Sequence, residues 1–326
     1  MAKITLGFDI GSCTLKIAVL RGGSVQLETV RLPEKLVDEN GVTMPNAFSD
    51  FLRRTLREHR IPKGAGALVL PQNQVICRLV TLPKMTVDQL EMNLPYEFAD
   101  FIQGLPEQYF CDYALCQRLE NEDEQTMPMM AAVAAKQQLE SYIQMFARAG
   151  VRLKVLLPQE MALIQLAQSQ GKGHDCFFVD LGQQFTRITV VSGDRVQATR
   201  QIALGGKYLD QLIADELGVD LFLAASYKAA DHQNVLSLPA VAELCDRLAV
   251  EILKVVNFYQ FTFRGSELAG IYLTGGGAGI APLREAIAGA VGLPLLDPAE
   301  LLPGVPEGEG ADSVFAAGAA MRRDGK

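Results

Sequence analysis

The chain has 326 residues, long enough for about two domains of ordinary size, and its 49% hydrophobic against 21% charged residues mark a folded globular protein and exclude a disordered one. A formal net charge of −8 without a basic cluster excludes a general nucleic-acid binder. Six cysteines (Cys13, Cys77, Cys111, Cys116, Cys176 and Cys245) form no CxxC pair and three histidines accompany them, which reads as reduced thiols in a cytoplasmic protein rather than a metal site or disulfide framework.

Met1-Ala2-Lys3-Ile4-Thr5-Leu6 enters a strand with no signal-peptide h-region. Phe8-Asp9-Ile10-Gly11-Ser12 then leads through a tight Asp-x-Gly turn into Ile/Val at period two and a second glycine turn, the pattern of a β-hairpin with one buried face. Pro45 opens a helix whose apolar positions Phe48, Phe51, Leu52 and Leu56 keep helical spacing to about His59-Arg60. Ala67–Leu70 and Val75–Leu82 read as strands. Thr86 with Gln89 three residues on is a capping box, and Leu90, Leu94, Phe98, Phe101 and Ile102 form the stripe of the helix that follows. Pro95 inside that stripe predicts a kink or restart.

Strands near Gln108–Gln117 and Met129–Ala134 flank the acidic loop Glu120-Asn121-Glu122-Asp123-Glu124, read as a solvated hairpin tip, and a helix runs from about Lys136 to Ala149. At Val179-Asp180-Leu181-Gly182-Gln183 the opening pattern returns. Asp9, Gly11, Ile17, Val19, Gly22, Val25 and Gln26 are matched by Asp180, Gly182, Ile188, Val190, Gly193, Val196 and Gln197 at a constant offset of 171, and Lys16 meets Arg187. Ile202-Ala203-Leu204 ends a strand, and Gly205-Gly206-Lys207-Tyr208-Leu209-Asp210 starts a helix with Leu209, Leu212, Ile213 and Leu217 on its buried side. Strand Gly270–Thr274 empties into Gly275-Gly276-Gly277-Ala278-Gly279 before a helix at Pro282, either a tight strand–helix turn or a ligand loop. No uncharged apolar run reaches the ~18 residues of a membrane span; Leu268 to Leu283 is broken by glycines.

One Asp-x-Gly turn carries little information, since such turns close many ligand-free hairpins. Two in register, facing each other across a cleft, suit a polyphosphate. Glycine lets successive backbone N–H groups point at phosphate oxygens, and Ser12, Thr14 and Thr186 add hydroxyl donors. Asp9 and Asp180 would repel phosphate directly and instead suit a hydrated Mg²⁺ bridging it. The Gly275 cluster does not complete GxGxxG, and no GxxxxGK[ST] occurs.

Two such hairpins, the Gly205-Gly206 turn and a strand ending in Thr274-Gly275-Gly276-Gly277 resemble the fold shared by actin, sugar kinases and the heat-shock chaperone ATPases. Leu82-Pro83-Lys84-Met85, Tyr96-Glu97, Phe101-Ile102 and the closing Ala316-Ala317-Gly318-Ala319-Ala320 extend the likeness along nearly the whole chain to the PilM family of type IV pilus assembly proteins. The resemblance implies an α/β, actin-like ATPase fold with two lobes, duplicated ribonuclease H-like core subdomains and an inserted α+β subdomain in the first lobe. Residues 1–70, 151–170 and 314–326 would form the first core subdomain, 71–150 the insert, 171–206 with 268–313 the second core, and 207–267 its cap.

The resemblance also implies ATP (or ADP) with Mg between the lobes. Asp9, Gly11, Ser12, Cys13, Thr14 and Lys16 would belong to the first phosphate loop, Asp180, Gly182, Gln183 and Thr186 to the second. Gly205, Gly206, Lys207, Lys228, Gly275, Gly276 and Gly277 would line the far side of the nucleotide. Gln159 would orient attacking water beside Asp180, with Glu160 as the fallback. Bulky Gln183-Gln184-Phe185, and Ala225-Ser226 where the family places an acidic residue at the ribose, point to nucleotide binding without efficient turnover. The implied function is a cytoplasmic scaffold at the inner face of the membrane, held there by the N-terminal cytoplasmic tail of a PilN-like partner in a groove between insert and first core. The pilus motor ATPase and self-association are further implied contacts; nucleic acid is not. The tail Met321–Lys326 is too short for the membrane-binding amphipathic helix of the relative FtsA. The alternatives are a small-molecule kinase or ATPase of the same fold, and an FtsA-like division filament.

Overall fold

The computed structural model describes residues 4–38, 40–117, 119, 122–169, 175–263 and 268–321. In chain order, β1 (Ile4–Ile10), β2 (Thr14–Arg21) and β3 (Ser24–Arg31) form a meander, followed by the small hairpin β4 (Val37–Asp38) and β5 (Gly41–Val42), then α1 (Pro45–Glu58) and β6 (Ala65–Val69). The insert carries β7 (Val75–Pro83), α2 (Val87–Asn93), β8 (Tyr109–Leu115) and β9 (Thr126–Ala135). Next come α3 (Lys136–Ala149), β10 (Arg152–Leu157) and α4 (Gln159–Ser169). A second meander follows, β11 (Asp175–Leu181), β12 (Thr186–Ser192) and β13 (Arg195–Ile202), with α5 (Gly206–Leu217), α6 (Leu221–Ala230) and α7 (Pro239–Thr262) after it. The chain closes through β14 (Leu268–Thr274), α8 (Ala281–Val291), β15 (Leu295–Leu296) and α9 (Val314–Ala320).

These strands make two large sheets, β10-β6-β1-β2-β3 and β13-β12-β11-β14-β15, and a three-stranded sheet β7-β9-β8 in the insert. The internal repeat is a structural duplication. Each large sheet has an antiparallel meander whose first strand pairs in parallel with a later one, β6 or β14. The registers also match: Asp9 lies opposite Lys16 as Asp180 lies opposite Arg187, and Phe8 opposite Ile17 as Val179 opposite Ile188. Gly11 N–H bonds the Thr14 carbonyl at 2.9 Å, and Gly182 N–H the Phe185 carbonyl at 3.1 Å, closing both turns alike.

Between the two sheets lie α4 and α9. Ala162, Leu163, Leu166 and the small residues of α9 join Ala18, Val69, Phe178 and Tyr272 in one apolar core. The helices cross so closely that a Cβ on Gly318 would collide with the Ala162 backbone, which explains the Ala-Ala-Gly-Ala-Ala tract. On the outer side of the first sheet, α1 buries Phe48, Phe51, Leu52 and Leu56 as its spacing predicts. Beside it lies α3, which the sequence limits group with the insert; Phe146 of α3 packs edge-on to Phe8 of β1, centroids 5.0 Å apart. Its stripe Tyr142, Met145, Phe146 is therefore spent on the first sheet.

In the insert, Thr86 forms both bonds of the capping box with Gln89. Pro95 stops the α-helix, and the chain continues as a 3-10 turn over Leu94–Phe98, so Leu90, Leu94 and Phe98 still reach the β7-β9-β8 sheet. Glu120 and Asn121 of the acidic loop lie outside the described residues, as do Arg322–Lys326 of the tail. Glu122 departs from the expected solvated tip: it pairs with Arg195 of β13 at 2.6 Å.

Candidate functional site

The two hairpin turns face one another, and the charges around them interlock. Lys16 Nζ lies 3.4 Å from Asp9 Oδ2. Burial alone would push this ammonium down, but the fields of Asp9, Asp180 and Asp312 outweigh it and hold its pKa above the ordinary lysine value. Lys16, on the first hairpin, therefore senses Asp180 on the second. Burial pushes the Asp180 carboxyl up to about 6; Lys16, Arg187 and the Thr274 hydroxyl oppose that rise, while Asp9 adds to it. Arg187 reaches from β12 to Glu160 on α4, with 3.5 Å between Nη1 and Oε1. Burial raises the Glu160 pKa against the pull of Arg187, and burial lowers that of Arg187. Each Asp-x-Gly turn thus presents an acid, a base one strand over, and a contact to the other lobe.

Backbone donors complete the anion-binding character. Among the described residues no protein acceptor meets the N–H groups of Ser12, Cys13, Gln183 or Gln184 at the two turns, and Ser12 and Cys13 are exposed. Gly275 adopts φ +83°, and a Cβ there would strike Asp180 and the Leu181 carbonyl. Only glycine allows the third loop to lie this close to the second Asp-x-Gly turn. Gly276 has open space around its Cα and faces solvent, while Gly277 N–H bonds the Leu181 carbonyl at 2.9 Å.

Some expected residues have other work. The Thr186 hydroxyl is buried and donates to the Leu204 carbonyl at 2.8 Å, so its proton ties β12 to the glycine turn rather than pointing into the cleft. Gln183 Nε2 donates to Asp210 Oδ2 at 2.8 Å, Asp210 pairs with Lys228 at 2.7 Å, and Lys228 also donates to the Gly206 carbonyl at 3.1 Å. Gln183 and Lys228 therefore belong to a closed network with the buried Asp210, a residue the sequence placed only in the α5 helix. Gly206 and Lys207 N–H groups bond the carbonyls of Gly182 and Gln183, joining the start of α5 to the second turn. The Lys207 side chain is exposed, and Gln159 is half-buried beside Glu160 at the start of α4.

Glu160, Arg187 and Asp312 join the site although sequence reasoning gave them at most a secondary place. For Arg187 the signal was its match to Lys16 in the repeat. Asp312 comes from a distant segment and bonds Thr29 of β3 at 2.8 Å, with no local signal. Among the described residues no group of three or more His, Cys, Asp or Glu side chains could enclose a metal ion. Behind the glycine turns a small apolar cavity of about 20 Å³ lies between α5, α7 and α8, lined by Leu181, Leu209, Leu244, Leu248 and Leu283. At the cleft rim, Arg31 of β3 lies over the Phe222 ring of α6, 5.5 Å from its centroid.

The family profile of type IV pilus assembly protein PilM matches residues 7–300. No curated protein sequence matches the chain. Among solved structures, the chain resembles the PilM–PilN type IV pilus biogenesis complex with a TM-score of 0.80 at 23% identity, over 97% of this chain and 97% of that one. It also resembles ethanolamine utilization protein EutJ from Carboxydothermus hydrogenoformans, with a TM-score of 0.58 at 15% identity over 98% and 89% of the two chains. At these identities the likeness to the solved structures is one of fold.

Proposed function

The chain belongs to the PilM family of type IV pilus assembly proteins and has the actin-like ATPase fold, and on that premise we propose that it is an ATP-binding scaffold of the inner-membrane assembly platform. One observation carries the nucleotide reading: two hairpins in identical register bring Asp9, Lys16, Asp180 and Arg187 together beside unbonded backbone donors at both turns. The N–H groups of Ser12, Cys13, Gln183 and Gln184 would hold phosphate oxygens, with Lys16 as the nearby ammonium. Asp9 and Asp180 would face a hydrated Mg²⁺, which when bound neutralises polyphosphate charge. Gly205, Gly206 and Gly275–Gly277 would let the backbone lie against the rest of the nucleotide. Gln159 and Asp180 are the groups suited to orient water. The Gln183–Asp210–Lys228 network engages two side chains expected at the nucleotide, and in this reading turnover is slow at most and nucleotide acts as a ligand.

The partner in this reading is the N-terminal cytoplasmic tail of a PilN-like membrane protein, seated between insert 71–150 and core subdomain 1–70. Support comes from the family and from the fold shared with a PilM–PilN complex. Among the described residues no helix is long and apolar enough to cross a membrane, so attachment to the inner face would run through that partner. Nucleotide would shift the lobes between populations that differ in the groove, which is assembly control rather than metabolism.

Calorimetric titration with MgATP and with a PilN-tail peptide tests both parts. Saturable binding of each at 1:1 is expected. Absence of peptide binding with and without nucleotide would sink the partner assignment, and steady-state ATPase turnover at ~1 s⁻¹ or above, the ordinary enzyme range, would favour an enzyme instead.

A further inference from the structure

The inserted sheet touches both lobes, and the two contacts differ in kind. Toward the first lobe it contributes Val75, Ala132 and Ala134 to the apolar core beneath α1 and α3. Met130, with Leu79 and Cys116, packs in the core shared by both lobes, which holds Ala18 and Val69 of the first sheet and Val191 and Val196 of the second. A polar lock sits on that second contact. Arg195, at the tip of the β12–β13 hairpin, is 2% exposed. Its guanidinium pairs with Glu122 of the insert at 2.6 Å, donates to the Gln117 carbonyl, and lies 3.5 Å from the Asp194 carboxylate. Asp194 in turn accepts from Gln117 N–H, its carbonyl lies 3.6 Å from Cys116 Sγ, and Val196 N–H meets Met130 Sδ at 3.5 Å.

The lock is particular to the second copy of the repeat. The corresponding tip of the first copy is Gly22-Gly23-Ser24, without charge. A hairpin turn needs no Asp-Arg pair to close, so folding of the meander does not account for it. Were the insert to move off, Arg195 would keep Asp194 of its own tip but lose Glu122 and the Gln117 carbonyl, leaving buried guanidinium donors unmet. The network therefore resists partial separation, unlike apolar packing, which can slide.

We propose that the Asp194–Arg195 tip clamps the insert to the second lobe, so that the insert travels with the second sheet and carries lobe movement to the groove it forms with the first lobe. The inference rests on the function proposed above and names how its two ligands communicate. Nucleotide between the lobes and peptide in the groove would be coupled through the clamp, and coupling of binding free energies is reciprocal.

The test compares the wild type with Arg195→Met and Glu122→Gln, each checked for native circular dichroism. The Kd of a PilN-tail peptide is measured without and with saturating MgATP, and the Kd of MgATP without and with peptide. In the wild type the two peptide values differ by about fivefold or more, the range of ordinary allosteric coupling, and the nucleotide values differ by the same factor. In Arg195→Met the ratio falls below about twofold, while each ligand alone binds within about threefold of wild type. Glu122→Gln, which keeps the hydrogen bond and loses the charge, gives an intermediate ratio and carries the test if Arg195→Met does not fold. A folded clamp variant that retains the full ratio overturns the inference. So does a wild type that binds both ligands with no coupling, and that result leaves the functional reading standing. A wild type that binds neither ligand sinks the functional reading first, and the clamp's role with it.

Discussion

Asp180 is a carboxylate held where its charge is unwelcome, and Asp180→Asn measures how unwelcome. Burial lifts its pKa from 3.8 to about 6 despite Lys16 and Arg187 nearby. At about 1.4 kcal/mol per pH unit that span corresponds to about 3 kcal/mol, nearer 2 kcal/mol once solvent screening at the open cleft is allowed for. The sign follows from linkage: a carboxyl whose folded pKa exceeds its unfolded value binds its proton more tightly in the native state. Its stabilising contribution is complete below pH 4 and is lost as pH climbs through about 6. Asparagine keeps an acceptor for the Thr274 hydroxyl and never ionises. Without nucleotide or divalent cation, Asp180→Asn is therefore expected to be more stable than wild type at pH 7.5, by roughly 3 °C in Tm for a chain of this size, with the gap shrinking toward zero near pH 4. Differential scanning fluorimetry across that range reads it. A variant that melts at or below wild type at pH 7.5, or a gap that does not change with pH, would show that Lys16 and Arg187 compensate the charge in full. The same variant should lose most of its response to MgATP, since the gain in stability comes from deleting the group that would face the cation.

Three other outcomes follow from named contacts. Gly275→Ala places a Cβ against Asp180 and Leu181 at φ +83° and should cost about 2 kcal/mol or more in urea unfolding, whereas Gly276→Ala, with open space around it, should change stability by less than ~1 kcal/mol. Thr86→Ala removes the capping box and should cost about 1 kcal/mol, seen as faster amide exchange in α2 with the two large sheets unaffected. Lys16→Met removes the ammonium held by Asp9 at the first turn and should weaken MgATP binding by about one to two decades in titration calorimetry, the worth of one charge-assisted bond.

How much of this was legible depended on whether a residue's partner is local. The first hairpin of each meander, α1, α3 and the Thr86 cap follow from period-two and period-3.6 spacing or from pairs three residues apart, and they sit where the pattern put them. α4 offers no stripe, because Ala162, Leu163, Ile164, Leu166 and Ala167 are all buried between two sheets and an all-round apolar helix has no face to betray it. α7 does carry a stripe, Val241, Leu244, Cys245, Leu248, Ile252 and Val256, whose helical spacing is visible in the sequence. At the site the Asp9 and Asp180 turns were visible through their repetition. The Gln183 bond to Asp210 and the Thr186 bond to Leu204 were not, since nothing in a sequence says which of several acceptors a side chain will reach. Glu122 shows the same limit in reverse: an acidic run suggests solvent until a buried arginine 73 positions away claims one of its members.

The duplication also separates what the two lobes share from what each does alone. Shared by the two copies are the parts assigned to the proposed nucleotide: the Asp, the glycine turn and the base across the strand. A symmetric pair of acids at the floor of a cleft repels itself unless cations intervene, and the protein supplies Lys16 and Arg187 for that purpose. Those bases do not fully offset the burial of Asp180, with the smaller push from Asp9, and its pKa stays raised. The residual strain gives a bound divalent cation something to relieve, so closure of the lobes around a metal–nucleotide would be favoured by the same burial that costs the empty protein stability. The copies diverge at their tips. The uncharged Gly22-Gly23-Ser24 tip rests on the 303–304 loop, with Val25 N–H bonded to the Pro303 carbonyl at 2.7 Å, while Asp194-Arg195 grips the insert. The turns are alike and the tips differ with the neighbours they meet, the distribution expected under the proposal that cleft occupancy sets the position of the attached insert.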